Sequence, residues 1–283
     1  METGRIFSIE EFSTYDGPGI RMTIFLKGCS LRCMWCHNPE GQQYDIEIVR
    51  SPNGCLSCNA CTRQGELKTG YPCLVPESIG VCPRKLVRLC GEDYSPEQLV
   101  SKIEKNIEIL NMSGGGVTFS GGEPLCQAEF VEACMKLLRG KTQRALQTCG
   151  FAQSEVFKRV LAECDYVLYD LKLMNDELHK RYTGVSNVTI LENYRILSAS
   201  GTEFCTRIPL IPTVNDTEDN IIETARFMKE CNVNYVELLP YNKMAGGKYL
   251  MLGRKYEPDF DGSIDIKINK EIFNEYGIEV KVL

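Results

Sequence analysis

Two hydrophobic periods alternate along the chain. Six short runs are rich in β-branched and aromatic residues: Arg21–Lys27 (RMTIFLK), Val117–Ser120, Arg144–Thr148, Tyr166–Lys172, Phe204–Ile211 and Tyr235–Pro240. They read as strands apolar on both faces, as in a parallel sheet covered by helices. Between them apolar residues recur at helical spacing. Ser95-Pro96-Glu97-Gln98 is a capping box with Pro at the first helical position. It predicts one helix carrying Leu99, Val100, Ile103, Ile107 and Leu110 inward. Phe130, Val131, Cys134, Leu137 and Leu138 mark the next. Ser154 is read as the cap of another, with Val156, Phe157, Val160 and Leu161 inward, and Asn220–Cys231 carries Ile221, Ala225 and Met228 on one face. Six alternations of this kind predict an α/β chain in an open (β/α) barrel, with right-handed crossovers and a site at the carboxyl ends of the strands.

One stretch breaks the rhythm. Residues 49–94 hold six Cys, four Pro and five Gly with little periodicity. They are read as a small inserted domain held together by metal rather than by a core, with 1–48 and 95–283 forming the barrel. The whole chain of 283 residues is long enough for both. Its net charge of −6 gives no reason to expect a nucleic-acid partner, which would need clustered Lys and Arg. The opening METGRIFSIEEF lacks the basic and apolar regions of a signal peptide. No apolar run approaches the roughly 18 residues of a membrane span. A cytoplasmic protein without membrane partners is expected.

Fifteen cysteines change the picture. In a reducing cytosol, clustered cysteines bind metal or do redox chemistry. Cys126, Cys134, Cys149, Cys164, Cys205 and Cys231 stand singly among apolar residues and are expected to pack in the core. Cys29, Cys33 and Cys36 form a C-x3-C-x2-C group directly after the first strand. Three thiolates hold three irons of a cubane and leave the fourth iron open to a substrate. The alternative, structural zinc, wants four ligands at paired C-x2-C spacings, and His37 adjoins Cys36 too closely for easy joint chelation. Cys55, Cys58 and Cys61 open a ferredoxin-type motif, and Cys82-Pro83 matches its Cys-Pro ending. One auxiliary [4Fe–4S] cluster on Cys55, Cys58, Cys61 and Cys82 is expected. Cys73 is the rival fourth ligand, and a small zinc site is the alternative.

With Trp35 before the last cysteine, the first group resembles the signature of the radical S-adenosylmethionine (SAM) superfamily. Further matches are Asp16-Gly17-Pro18-Gly19-Ile20-Arg21, Cys36-His37-Asn38-Pro39-Glu40, Gly121-Gly122-Glu123-Pro124, Asp170-Leu171-Lys172, and His179 with Thr183-Gly184 and Asn187. Together they resemble the glycyl radical enzyme activating enzymes, from about Ile6 to Gly253. The resemblance implies a partial (β/α)6 radical SAM barrel with a ferredoxin-like insert. It places Trp35 and His37 by the adenine, and Gly121, Gly122 and Glu123 by the methionine amino group. Asp170 and Lys172 would lie near the ribose and carboxylate, and Arg207 near the carboxylate. Two departures stand out: Gln147-Thr148 where the family often has Asp-Thr and can bind a monovalent cation, and Asn242 where it often has His.

The activity implied is reductive cleavage of SAM to methionine and a 5′-deoxyadenosyl radical. That radical takes a Cα hydrogen from a glycine of a partner glycyl radical enzyme, with flavodoxin or ferredoxin as electron donor. Asp16 is expected to accept backbone N–H groups of the partner's glycine loop. Two rivals remain: a radical SAM enzyme acting on a small molecule or maturation peptide, and a non-catalytic iron–sulfur or zinc module. The last would make no 5′-deoxyadenosine.

Overall fold

In the computed structural model, which describes residues 3–283, the strands run in chain order as follows. They are β1 (Gly4–Ser13), β2 (Arg21–Leu26), β3 (Glu47–Arg50), β4 (Val87–Cys90), β5 (Glu92–Tyr94) and β6 (Gly116–Gly121). After these come β7 (Gln143–Thr148), β8 (Tyr166–Asp170), β9 (Glu203–Leu210), β10 (Tyr235–Pro240) and β11 (Glu279–Val282). Nine of them form one sheet in the order β11-β10-β9-β8-β7-β6-β2-β1-β5. From β2 to β11 every pairing is parallel. The six expected strands are β2 and β6–β10, each within two residues of its expected ends.

The two faces of the sheet differ, which corrects the reading of strands apolar on both sides. Met22, Ile24, Val117, Phe119, Leu146, Val167, Ile208, Val236 and Leu238 belong to the main core with the helices Pro96–Glu104, Ala128–Leu138, Ser154–Leu161 and Glu218–Glu230. The alternate positions are largely polar and bond to one another. Thr23 donates to Asp16, Ser120 to Gln147 and Arg207 to Glu237. Strand periodicity of two puts these groups on the inner side of the barrel.

Several local readings are corrected. The helix expected through Leu110 is two, Pro96–Glu104 and Ile107–Met112, separated at Asn106, which leaves helical backbone at φ −113° and precedes the second without a side-chain cap. The Ser95 capping box is present with both bonds made. Ser154 is the first helical residue rather than the cap, which falls on Gln153. Thr217 caps Glu218–Glu230, its side chain accepting from the Asn220 N–H, so that helix begins before Asn220. Cys134, Cys149 and Cys205 are buried as expected; Cys164 and Cys231 are half-buried, and Cys126 is exposed. The stretch after β2 contains a two-stranded antiparallel ladder, β3 with β4, around the helices Ala60–Thr69 and Ser78–Val81. No described helix is long and apolar enough to cross a membrane.

Candidate active site

The chain leaves β2 through Gly28, at φ +92°, and enters the loop of Cys29, Cys33 and Cys36. Backbone bonds hold this loop against a neighbouring shelf. Arg32 N donates to Thr183 O at 2.7 Å and Met34 N to Tyr182 O at 3.0 Å. The shelf explains the motif further along the chain. His179 is 1% exposed, with Nδ1 2.7 Å from Val185 O and 3.0 Å from the Thr183 hydroxyl. Asn187 donates to the carbonyls of Leu173 and Met174. His179, Thr183, Gly184 and Asn187 therefore build the support of the cysteine loop and do not line its cavity.

That cavity, of about 580 Å³, opens where the carboxyl ends of β2 and β6–β11 converge. Cys29, Cys33 and Cys36 all line it as free thiols. Burial pushes all three up, Cys33 to about 12. Without metal they are thiols, and metal binding must release their protons. Three thiols lining one cavity suit a cubane, in which each thiolate takes its own iron.

Trp35, His37, Gly121, Gly122, Glu123, Asp170, Lys172, Arg207, Asn242 and Asp16 line the same cavity. Trp35 packs in a small apolar cluster with Leu173, Ile211, Val214 and Tyr241. The His37 ring lies 6.1 Å from that of Tyr241, and burial, helped by Lys248, lowers its pKa and keeps the imidazole neutral. Gly121 and Gly122 are required by close approach. A Cβ on Gly122 would lie 2.3 Å from Gly28 O, and Gly121 has φ +120°. The Glu123 carboxylate is turned into the protein, accepting from Thr148, Leu125 and Cys149.

The charged wall comes from β8, β9 and β10. Lys172 Nζ lies 3.2 Å from Asp170. Burial would lower its pKa, but the charge and hydrogen bond of the Asp170 carboxylate outweigh that and hold the ammonium charged. Arg207 Nε donates to Glu237 at 3.0 Å and its other end to Tyr15 O. Glu237, absent from the sequence reading, is the register partner of Arg207 across β9 and β10. The loop Tyr15–Gly19 is tied to the inner side of the strands, and its Tyr15 and Asp16 line the cavity. Asp16 accepts the Thr23 hydroxyl at 2.7 Å, and its carbonyl accepts the Thr118 hydroxyl at 2.7 Å. Gln147 and Asn242 present neutral amides to the cavity.

A second group of cysteines gathers away from this cavity. Cys55, Cys58, Cys61 and Cys82 line one small pocket with Arg50, Leu56 and Arg84. Its loops use left-handed backbone at Ser57, Asn59 and Lys85. Donors point at sulfur here: in these loops Ser57 N at Cys55 Sγ (3.5 Å) and Leu86 N at Cys82 Sγ (3.4 Å), and from the end of β3 the Arg50 guanidinium at Cys61 Sγ (3.7 Å). The Leu86 N–H, with those of Arg84, Val87 and Lys85, lowers the Cys82 pKa and favours thiolate. These features fit four thiolate ligands. Cys73 lies elsewhere, packed on Gly65, where an added Cβ would be 2.6 Å from its sulfur. It does not line the pocket.

Comparison with known proteins agrees with this geometry. Residues 23–228 match the Radical SAM superfamily. The isethionate sulfite-lyase activating enzyme of Desulfovibrio desulfuricans is 37% identical over 90% of this chain and 88% of its own. The trans-4-hydroxy-L-proline dehydratase activating enzyme of Clostridioides difficile is 37% identical over 89% of each chain. Among solved structures, a radical SAM methyltransferase from Sphaerobacter thermophilus shares the fold, with TM-score 0.55 and 16% identity over 98% of this chain and 76% of its own. The chain belongs to the radical SAM superfamily, within the glycyl radical enzyme activating enzymes.

Proposed function

We propose that Cys29, Cys33 and Cys36 hold the SAM-binding [4Fe–4S] cluster, and that residues 49–94 form a ferredoxin-like insert with an auxiliary cluster on Cys55, Cys58, Cys61 and Cys82. The chain is a glycyl radical enzyme activase, and its partner is a glycyl radical enzyme. The observation that carries the reading is the single cavity at the strand ends, lined by all three cysteines of the first group together with the polar wall. With its cluster and SAM bound, such a site supplies one-electron cleavage of the sulfonium C–S bond and a 5′-deoxyadenosyl radical for the partner's glycine.

The protein's own residues bind, orient and exclude water. Trp35 and neutral His37 offer an aromatic wall to adenine. Lys172 and Arg207 offer positive charge to the methionine carboxylate, and Asp170 reaches the ribose. Gly121 and Gly122 present backbone to the amino group, while Glu123 fixes the turn on which they sit. Asp16 is the contact for the partner's glycine loop. Flavodoxin or ferredoxin supplies the electron, and fifteen free thiols suit a reducing cytoplasm.

The test pairs the reduced protein with SAM and candidate glycyl radical enzymes. The expected products are 5′-deoxyadenosine and a glycyl radical signal by electron paramagnetic resonance. Cys29→Ala, Cys33→Ala and Cys36→Ala should each abolish SAM cleavage while leaving iron in the insert. Full cleavage by any of the three would overturn the ligand assignment. SAM cleavage without a glycyl radical on any such enzyme would point to another substrate.

A further inference from the structure

The insert carries its charge unevenly. Residues 49–94 hold six Lys or Arg against four Asp or Glu, in a chain of net charge −6. Lys68 is paired with Glu77 at 2.6 Å. Arg50, Arg63, Arg84, Lys85 and Arg88 form no ion pair with any described residue; Arg50 instead donates to the Cys61 sulfur and Arg88 to a backbone carbonyl. Two of these cations stand at the four-cysteine pocket, and a third adjoins it in the chain. Arg50 and Arg84 line it. Arg84 lies over Gly54, so close that an added Cβ there would be 3.4 Å from its guanidinium. Lys85 follows directly, turned by φ +52°.

Inside this rim the pocket opens to solvent. Cys58 is exposed, and Leu56 beside it is 60% exposed. A small apolar spot within a ring of unneutralised like charge is built for brief, steered encounters with a surface of opposite sign. Such encounters use small interfaces, as redox pairs do. The barrel cavity is a separate surface, since no residue of 47–94 lines it.

We propose that the edge centred on Leu56 and Cys58, rimmed by Arg50, Arg84 and Lys85, is the docking surface for an acidic one-electron carrier protein. The proposal rests on the reading of Cys55, Cys58, Cys61 and Cys82 as cluster ligands. The electron count requires such a carrier. Each glycyl radical formed consumes one electron, which enters the SAM C–S bond as it breaks to methionine and the 5′-deoxyadenosyl radical. The hydrogen atom then moves from the glycine Cα to that radical, and no proton is released. The carrier is oxidised by one electron.

The test uses the reconstituted holoenzyme and an acidic flavodoxin. Arg84→Glu with Lys85→Glu should weaken flavodoxin binding by calorimetry about tenfold or more at low salt, and flatten its salt dependence. The ratio of flavodoxin-driven to dithionite-driven cluster reduction should fall by a similar factor. Arg84→Lys with Lys85→Arg should retain both. Unchanged binding and an unchanged ratio in the reversal variant, with about eight irons per chain, would overturn the docking face. About four irons per chain in the wild type would overturn the auxiliary cluster instead, and the docking proposal with it.

Discussion

The Glu123 carboxylate accepts the Thr148 hydroxyl at 2.6 Å, tying the end of β6 to the end of β7 behind the cavity wall. The same carboxylate accepts from Leu125 N at 3.1 Å, Cys149 N at 2.9 Å and the Cys149 thiol at 3.0 Å. Four donors on one group that is 2% exposed make it a fixed point for the Gly121-Gly122 turn. Burial raises its pKa, and the four hydrogen bonds oppose that without cancelling it.

Glu123→Gln should therefore destabilise the fold by about 1–3 kcal/mol, since the new amide N–H2 would face N–H donors it cannot satisfy. A pH signature should accompany it. The folded pKa of Glu123 lies above its unfolded value, so its contribution to stability is full below the unfolded carboxylate range and is lost as pH rises through the folded pKa. Across that window the wild type should lose stability relative to the Gln variant, which lacks that part of the slope. Parallel melting curves from pH 4 upward in both proteins would refute the argument.

The separation of Cys73 from the four-cysteine pocket gives a second prediction. Cys82→Ala should cost the auxiliary cluster, lowering iron from about eight to about four per chain, while Cys73→Ala should leave about eight. Iron and sulfide analysis of anaerobically reconstituted protein decides it. The opposite order would make Cys73 the ligand.

Local patterns were legible in the sequence, and pairings distant along the chain were not. The six inner strands and the Ser95 capping box are local signals. So are the cysteine spacings, whose members the fold does bring together. β1 escaped notice because Glu10 and Glu11 interrupt its apolar run, and its place depends on antiparallel pairing with β2 and β5. β11 has four residues and borrows its definition from β10. Glu237 reads as an ordinary strand residue until the β9–β10 register sets it against Arg207. The apolar neighbours of Cys126 in sequence point to the core, yet the residue is exposed, its sulfur 3.5 Å from the Ser30 hydroxyl. The burial of His179 likewise depends on how the loop to Val185 folds back.

Arg21 gives a third prediction. It is fully buried and donates to the Thr118 hydroxyl, the Pro18 and Val117 carbonyls and the Gln143 side chain. Burial lowers its pKa to about 10, so it stays charged at neutral pH. It clamps the Asp16-Gly17-Pro18-Gly19 turn to the starts of β6 and β7. Arg21→Met would leave several buried acceptors without donors, at about 1–3 kcal/mol each, and should lower the melting temperature by several degrees or more. Glycyl radical formation should fall further than SAM cleavage, because the displaced turn carries Asp16. A variant as stable as the wild type would show that water replaces the guanidinium.

Asp16 itself provides the sharpest test. One of its oxygens, Oδ2, accepts the Thr23 hydroxyl at 2.7 Å; Oδ1 accepts nothing from the described residues, and the residue lines the cavity. An extended glycine loop entering there brings backbone N–H groups that need acceptors. Asp16→Asn can keep the Thr23 bond through its carbonyl oxygen, but then turns an N–H2 donor toward the incoming N–H groups. The fold should survive, and SAM cleavage without partner should stay near the wild-type rate. Glycyl radical formation should drop about tenfold or more, the loss expected for a charge-assisted contact of about 1.5–3 kcal/mol. Thr23→Val is the control. It removes the internal bond but leaves the carboxylate, so radical formation should suffer less than in Asp16→Asn. Equal loss of SAM cleavage and radical formation in Asp16→Asn would mean that the residue serves the floor of the barrel alone, and its role toward the partner would fall.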